Sequence, residues 1–186
     1  MKSSEYINKA IRTESSLNPL GENTLINHRE LHSCIGATTE AGEMLLALTK
    51  NNGKIDKVNL MEEIGDLYWY LAILYSAQNK QFNIVKNESL KTINVKDGTL
   101  QVVVLTTELL DVCKKALFYG KIKKPMEYYL EQLEVILQDL LYSIGYNLNT
   151  TWDINIKKLA ARYPDKFSEK KASKRNIKKE RKILEN

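Results

Sequence analysis

The sequence predicts an all-α fold in which two pseudo-repeated helix pairs form a four-helix-bundle core, with additional helices at the N and C termini. The 186 residues contain 3 prolines and 8 glycines, fewer turn residues than an all-β sandwich or barrel needs. Apolar residues make up 43% of the chain, which excludes wholesale disorder. They recur at helical spacing between short polar breaks, which is typical of a bundle with short connections.

The first two predicted helices cover about residues 4–15 and 24–50. The shorter one has an apolar side made of Tyr6, Ile7, Ala10 and Ile11. The longer one is predicted to begin at an N-cap, Asn23 or Thr24. It is predicted to end at Asn51-Asn52-Gly53, because Asn and Gly tolerate the left-handed conformation that closes a helix.

Three helices are predicted in the middle of the chain. One covers about residues 57–78. A weaker one covers about residues 83–93 and is expected to end at Lys96-Asp97-Gly98. The third covers residues 99–119 and stops at Gly120. Residues 102–105 are apolar enough for a buried strand, but they continue into sequence of helical period, so a helix is preferred.

Two more helices complete the predicted core. Pro125 suits the first turn of a helix that reaches about residue 146, because proline has no backbone N–H to leave unpaired there. Thr150 or Thr151 is the predicted cap of a closing helix over residues 150–162, which Pro164 follows.

An internal repeat supports the two-pair arrangement. A shift of 68 residues places the segment 38–43 on 106–111, so that acids fall on acids: Glu40 on Glu108, Glu43 on Asp111, Glu63 on Glu131 and Asp66 on Glu134. One domain is therefore expected over residues 1–167. It contains repeat one at about 24–79, repeat two at about 99–147 and the closing helix.

The net charge of +5 belongs to the C-terminal segment. Residues 168–186 hold eight bases and three acids, whereas residues 1–167 are balanced. The segment is predicted to be either a docked amphipathic helix or a basic tail that contacts nucleic acid. The longest apolar run, residues 67–75, is too short to cross a membrane. The N terminus has no signal-peptide core, and Cys34 and Cys113 do not form a disulfide scaffold, so the expected location is the cytoplasm.

Two pairs of acids in repeat one are the candidate site. Glu40 and Glu43 are three residues apart and share a helix face, as do Glu63 and Asp66 on the next helix. A short turn makes the two helices antiparallel neighbours, so the pairs are expected to face each other, with Glu62 nearby. Small residues around the acids are expected to leave room for a ligand: Gly36, Ala37, Ala41, Gly42 and Gly65.

Carboxylates that converge in a bundle repel one another and call for cations. Oxygen ligands suit Mg²⁺, with Mn²⁺ as a substitute. Because neither His28 nor His32 follows a glutamate by three residues, a di-iron site is not expected, and both histidines are predicted to be structural. Mg²⁺ usually holds phosphates as well as carboxylates, so the cluster predicts a site for a phosphorylated substrate, with metal-bound water as the nucleophile.

These motifs resemble those of MazG-like all-α nucleoside triphosphate pyrophosphohydrolases, a superfamily that includes the dimeric all-α dUTPases. The similar segments are GATTEAGE over 36–43, EEIGDLYWYL over 62–71 and NIKKLAARYP over 155–164. The resemblance implies Mg²⁺-dependent cleavage between the α and β phosphates of a (deoxy)nucleoside triphosphate, giving a monophosphate and pyrophosphate. It also implies a homodimer or homotetramer.

The residue roles follow from that resemblance. Glu40, Glu43, Glu63 and Asp66 would hold the metal, and Glu40 or Glu43 would accept the proton of the attacking water. The polar side chains of the closing helix either contact phosphates or form a solvated face: Asn155, Lys158 and Arg162. Trp69 and Tyr70 either stack on the base or belong to the core. Lys114 and Lys115 are weaker phosphate candidates.

The second acid set lacks the small neighbours of the first, since leucines replace Ala41, Gly42 and Gly65 at the equivalent positions. Repeat two is therefore predicted to be structural, with one site per chain. Two rival functions stay open: a helical nucleic-acid-binding module that uses the basic tail, and a nucleotide sensor without turnover. Truncation after Phe167 separates the first rival, because enzyme activity should survive it and nucleic-acid binding should not.

Overall fold

The computed structural model describes residues 1–14, 25–49, 54–164 and 177–185. Within these residues the chain forms α-helices and one short 3₁₀ turn, without a β-strand, which confirms the predicted fold class. The α-helices are α1 (Ser3–Ile11), α2 (His28–Thr49), α3 (Lys57–Ala77), α4 (Val95–Tyr119), α5 (Met126–Ile144), α6 (Leu148–Arg162) and α7 (Ile177–Leu184). No described helix combines the length and the apolar character needed to span a membrane.

Helices α2 to α5 form the core of the bundle. Helix α2 packs along both α3 and α4, and α4 pairs with α5. Helices α2 and α3 are antiparallel, since Arg29 at the start of α2 donates to Ser76 at the end of α3. Helices α1 and α6 cover α3, and α7 packs on α6. The apolar run of α3 is buried on several sides, as its all-round apolar character predicts.

The two repeats meet at equivalent residues. The Thr38 hydroxyl donates to the backbone oxygen of Thr106, its counterpart 68 residues on, at 3.1 Å. Each threonine also bonds the carbonyl four residues earlier in its own helix, at Cys34 and Val102, which are equivalent too. This contact between matched positions supports the duplication inferred from the acids. Cys34 and the nearby Cys113 are buried free thiols.

Polar caps set the helix starts, but at other residues than predicted. Asn23 and Thr24 lie outside the described residues, and α2 begins at His28. There Asn27 accepts from the backbone of Glu30 while the Glu30 carboxylate accepts from the backbone of Asn27, a reciprocal capping box. Asn147, rather than Thr150 or Thr151, caps α6 by accepting from the Thr150 backbone N–H.

The expected break at Lys96-Asp97-Gly98 is wrong, because these residues lie inside the first turn of α4. The Asn94 side chain accepts from the backbone of Lys96 and Asp97 and so starts the helix earlier. The predicted stop at Gly120 is confirmed, since this glycine has a φ of 58°. Helix α5 ends at Ile144 instead of residue 146, because Gly145 adopts a left-handed conformation.

The helix predicted over about 83–93 is also wrong. Residues 80–94, here called the strap, are extended apart from the 3₁₀ turn at Asn87–Ser89. Side chains of α5 accept hydrogen bonds from the strap backbone: Glu134 from Asn83, Gln138 from Val85, Asp139 from Lys91 and Ser143 from Ile93. The backbone N–H groups that a helix would satisfy internally are thus satisfied by another element.

Glu134 makes the attachment of the strap sensitive to pH. Burial raises the pKa of Glu134 from 4.5 to about 7, with Glu131 adding to the effect, while Tyr75 and the Asn83 backbone oppose it. The folded chain therefore holds a proton that the unfolded chain loses near pH 4.5. It follows that the free energy of unfolding falls as the pH rises from 4.5 to about 7.

We expect Glu134→Gln to remove this slope, because glutamine accepts the Asn83 hydrogen bond without a charge. The variant should exceed the wild type in free energy of unfolding by about 3 kcal/mol at pH 8 and match it at pH 4.5. Urea denaturation across this range measures the difference. The control is Glu88→Gln, at an exposed position of the strap. If the free energy of unfolding of E134Q changed with pH in parallel with that of the wild type, Glu134 would not be the cause of the slope.

Candidate metal and nucleotide site

Three of the four predicted carboxylates converge between α2 and α3. One oxygen each of Glu40, Glu43 and Glu63 lies within 4.8 Å of the other two, a spacing that a metal ion can bridge. Glu43 is exposed, Glu40 is half-buried and Glu63 is buried. The three-residue spacing on α2 and the antiparallel approach of α3 bring them together, as the sequence predicted.

This group is electrostatically unfavourable by itself. Burial raises the pKa of Glu40 and that of Glu63 to about 8 in each case. Asp66, Glu43 and their other acidic neighbours add to both shifts. Two carboxylates that resist ionisation near neutral pH need either protons or a cation. An all-oxygen donor set of this kind fits Mg²⁺ or Mn²⁺.

The fourth predicted ligand, Asp66, lies beside the group but is bound by side chains of α6. Lys158 Nζ lies 2.6 and 2.5 Å from its two carboxylate oxygens, and Asn155 donates to it at 2.8 Å. Lys158 also reaches Glu62 at 3.1 Å. Burial alone would lower the pKa of Lys158, but Asp66 and Glu62 outweigh burial and raise it. The site thus contains its own cation.

The alternative of a solvated polar face on α6 is wrong for two of its three residues. Lys158 is 1% exposed and Asn155 is 2% exposed, and both face the acids. Asn155 also accepts a hydrogen bond from the buried Tyr6 hydroxyl at 3.2 Å, which ties α1 to the site. Both side chains donate to the Asp66 carboxylate, so they position it directly.

Arg162, the third predicted phosphate ligand, is engaged by the C-terminal helix. Its Nε and Nη2 atoms donate to the two carboxylate oxygens of Glu180, at 3.0 and 2.5 Å. Next to this pair, Arg181 approaches Asp56 at 3.4 Å. The described part of the predicted basic tail is therefore docked on the bundle.

The glycines around the acids make room mainly for protein side chains. A Cβ at Gly36 would overlap the ring of Tyr70, and one at Gly65 would lie 3.3 Å from the Asn155 side chain. Gly42 alone of the three has open space beside it. The expectation that these small residues leave space for a ligand is thus wrong for Gly36 and Gly65, which permit close helix packing.

Two cavities adjoin the carboxylates. The larger, of about 770 Å³, is lined by charged residues of α2, α3, α6 and α7, with the four predicted metal ligands among them. The smaller, of about 250 Å³, has four rings in its lining: His32, Trp69, Tyr70 and Tyr163. Glu40, Asp66 and Arg162 line both cavities, so a ligand could extend from one into the other.

Trp69 and Tyr70 are half-buried walls of the smaller cavity. The Trp69 indole N–H donates to the Ala10 oxygen at 2.9 Å and to the Thr13 hydroxyl at 3.0 Å, which anchors α1. The ring of Tyr70 contacts His32 edge-on, with centroids 5.5 Å apart. Both rings therefore pack on protein and also line a cavity, so the two predicted alternatives are not exclusive.

Sequence reasoning missed several residues at the site. His32, predicted to be structural, lines the smaller cavity, and its Nδ1 has no hydrogen-bond partner among the described residues. Asp56, Glu180 and Arg181 line the larger one. The only sequence signal for His32 was its spacing of four residues from His28. The others come together through contacts between distant segments, which local spacing does not reveal.

The second acid set does not converge. Glu108 and Glu131 are exposed, Asp111 pairs with Lys114 and Lys115, and Glu134 is buried under the strap. Among the described residues the only acid group with metal-ligand spacing is that of repeat one. Lys114 and Lys115 face Asp111 rather than either cavity at the site.

Comparison of the chain with protein-family models, curated proteins and solved structures finds no match.

Proposed function

We propose that this protein is a Mg²⁺-dependent nucleoside triphosphate pyrophosphohydrolase, the activity that its MazG-like motifs imply. The observation that carries the proposal is the group of Glu40, Glu43 and Glu63, whose oxygens lie within 4.8 Å of one another beside a charged cavity. An acidic group alone is common on protein surfaces. This group is half-buried, and its full ionisation is unfavourable without a cation. It adjoins arginine side chains as well as a pocket that contains several rings.

In this proposal the carboxylates of α2 and α3 hold the metal. Mg²⁺ held there would neutralise triphosphate charge and supply a water of lowered pKa. Glu40 or Glu43 would accept the proton of the attacking water, since both line the larger cavity. Lys158 and Asn155 hold the Asp66 carboxylate beside the group. Arg162, at the junction of the cavities, contacts a phosphate.

The smaller cavity is the proposed base pocket. Trp69, Tyr70 and Tyr163 offer ring surfaces, and His32 offers a ring nitrogen without a partner among the described residues. A base seated there places the triphosphate toward Glu40 and Asp66, which line both cavities. The location of the protein in the cytoplasm and its assembly as a homodimer or homotetramer stay predictions.

The test is a pyrophosphate-release assay on a panel of ribo- and deoxyribonucleoside triphosphates. We expect turnover of at least one of them with Mg²⁺, a lower or comparable rate with Mn²⁺ and none with EDTA. The products should be a monophosphate and pyrophosphate in equal amounts. Metal-dependent binding without turnover would instead identify a nucleotide sensor, and release of orthophosphate would refute cleavage between the α and β phosphates.

A further inference from the structure

Helix α7 forms one wall of the larger cavity. Glu180, Arg181 and Leu184 of this helix line the cavity together with Glu43 and Glu63. Glu180 is 5% exposed and Leu184 is 4% exposed, so the helix is seated by apolar and charged contacts. Arg181 adds a contact with Asp56, which caps α3. The C-terminal segment therefore takes part in the site rather than only extending from it.

The ion pair between Arg162 and Glu180 lies where the proposed function needs a phosphate contact. Two nitrogens of the Arg162 guanidinium, Nε and Nη2, donate to the two oxygens of the Glu180 carboxylate in a bidentate arrangement. Carboxylates and phosphates use the same bidentate geometry on arginine. A phosphate can bind this edge of Arg162 only where the bond to Glu180 opens.

The charge of Glu180 also opposes an anionic ligand. It adds a carboxylate to a cavity that already presents Glu40, Glu43, Glu62, Glu63 and Asp66. Because Glu180 is part of the same chain, it competes with free ligand at a high effective concentration. A ligand that brings its own divalent cations offsets this repulsion, whereas a bare anion does not.

We propose that Glu180 is an intramolecular competitor for the phosphate-binding edge of Arg162, and that the Mg²⁺-bound triphosphate displaces it. Helix α7 thereby sets the affinity of the site for its substrate. This inference depends on the proposed function, because it assigns Arg162 to a phosphate. Glu180 does not touch the reacting atoms, and its effect is confined to ligand binding.

Calorimetric titration with inorganic tripolyphosphate and Mg²⁺ tests the competition without knowledge of the base. We expect Glu180→Gln to bind on the order of tenfold more tightly than the wild type, since it removes a charge-assisted competitor. Glu88→Gln, a change to an exposed acid of the strap outside the cavity, should leave the affinity unchanged. Equal or weaker binding by E180Q would overturn the proposal and identify Glu180 as a residue that positions Arg162.

A second measurement uses the unmodified protein. Hydrogen exchange over residues 177–185 should become faster when tripolyphosphate and Mg²⁺ are added, because α7 loses its bond to Arg162. Slower exchange would overturn the proposal even if E180Q failed to fold. If the wild type binds tripolyphosphate with these responses but hydrolyses no nucleotide, the proposed function fails while the competition stands. If the protein hydrolyses a nucleotide without these responses, the competition fails while the proposed function stands.

Discussion

Glu63→Gln is expected to lower Mg²⁺-dependent turnover by more than about 100-fold, because even residues one shell away from a metal commonly contribute 10- to 100-fold. Glu63 is the buried member of the group with Glu40 and Glu43, and glutamine is a poor substitute for a charged ligand. The same change removes a carboxylate whose pKa burial raises to about 8. The metal-free variant should therefore be at least as stable as the wild type at pH 8.

Pyrophosphate release and thermal denaturation, each with and without Mg²⁺, measure the two effects. Glu131→Gln is the matched control, since Glu131 occupies the equivalent position of repeat two and is exposed. We expect this control to retain wild-type turnover. Equal loss in both variants, with the fold intact, would contradict the assignment of one site per chain.

Lys158→Met is expected to lower the free energy of unfolding by about 3 kcal/mol at pH 7, because it removes one partner of a buried ion pair. Lys158 is 1% exposed and holds both oxygens of Asp66 as well as Glu62. Methionine keeps the length and apolar stem of lysine. The loss would therefore come from the uncompensated carboxylates rather than from a cavity.

Urea denaturation measures this loss. A second substitution, at Asp66, tests whether the loss comes from an uncompensated charge. Asp66→Asn in the Lys158→Met background should recover part of the stability, because it removes the unpaired charge. Lys157→Met, at an exposed position of the same helix, is the control and should change the free energy of unfolding by less than about 0.5 kcal/mol. A Lys158→Met loss no larger than that of the control would mean that the ion pair does not stabilise the fold.

Local signals predicted most of the helices because they act within one turn of the chain. Proline, glycine and helical periodicity locate α3, α4 and α5 to within a few residues. The strap was misassigned because its backbone is held by Glu134 and Gln138 of α5, about 50 residues further along the chain. No window centred on the strap contains those partners.

Some contacts of the site were likewise predictable from local spacing, and others were not. The spacing of Glu40, Glu43 and Glu63 on two neighbouring helices was enough to predict their convergence, because helical geometry and a short connection leave few other arrangements. The position of Lys158 against Asp66 was not predictable from spacing, since the two are separated by 92 residues.

The sequence by itself thus determined the helical class and the acids that face one another, both of which follow from periodicity over short distances. Only the tertiary structure decided how those acids are paired. It placed a buried lysine on Asp66, a tyrosine ring against Gly36 and a C-terminal glutamate on Arg162. The physical reason is that charges and rings choose their partners by distance in space, and packing of remote segments sets that distance.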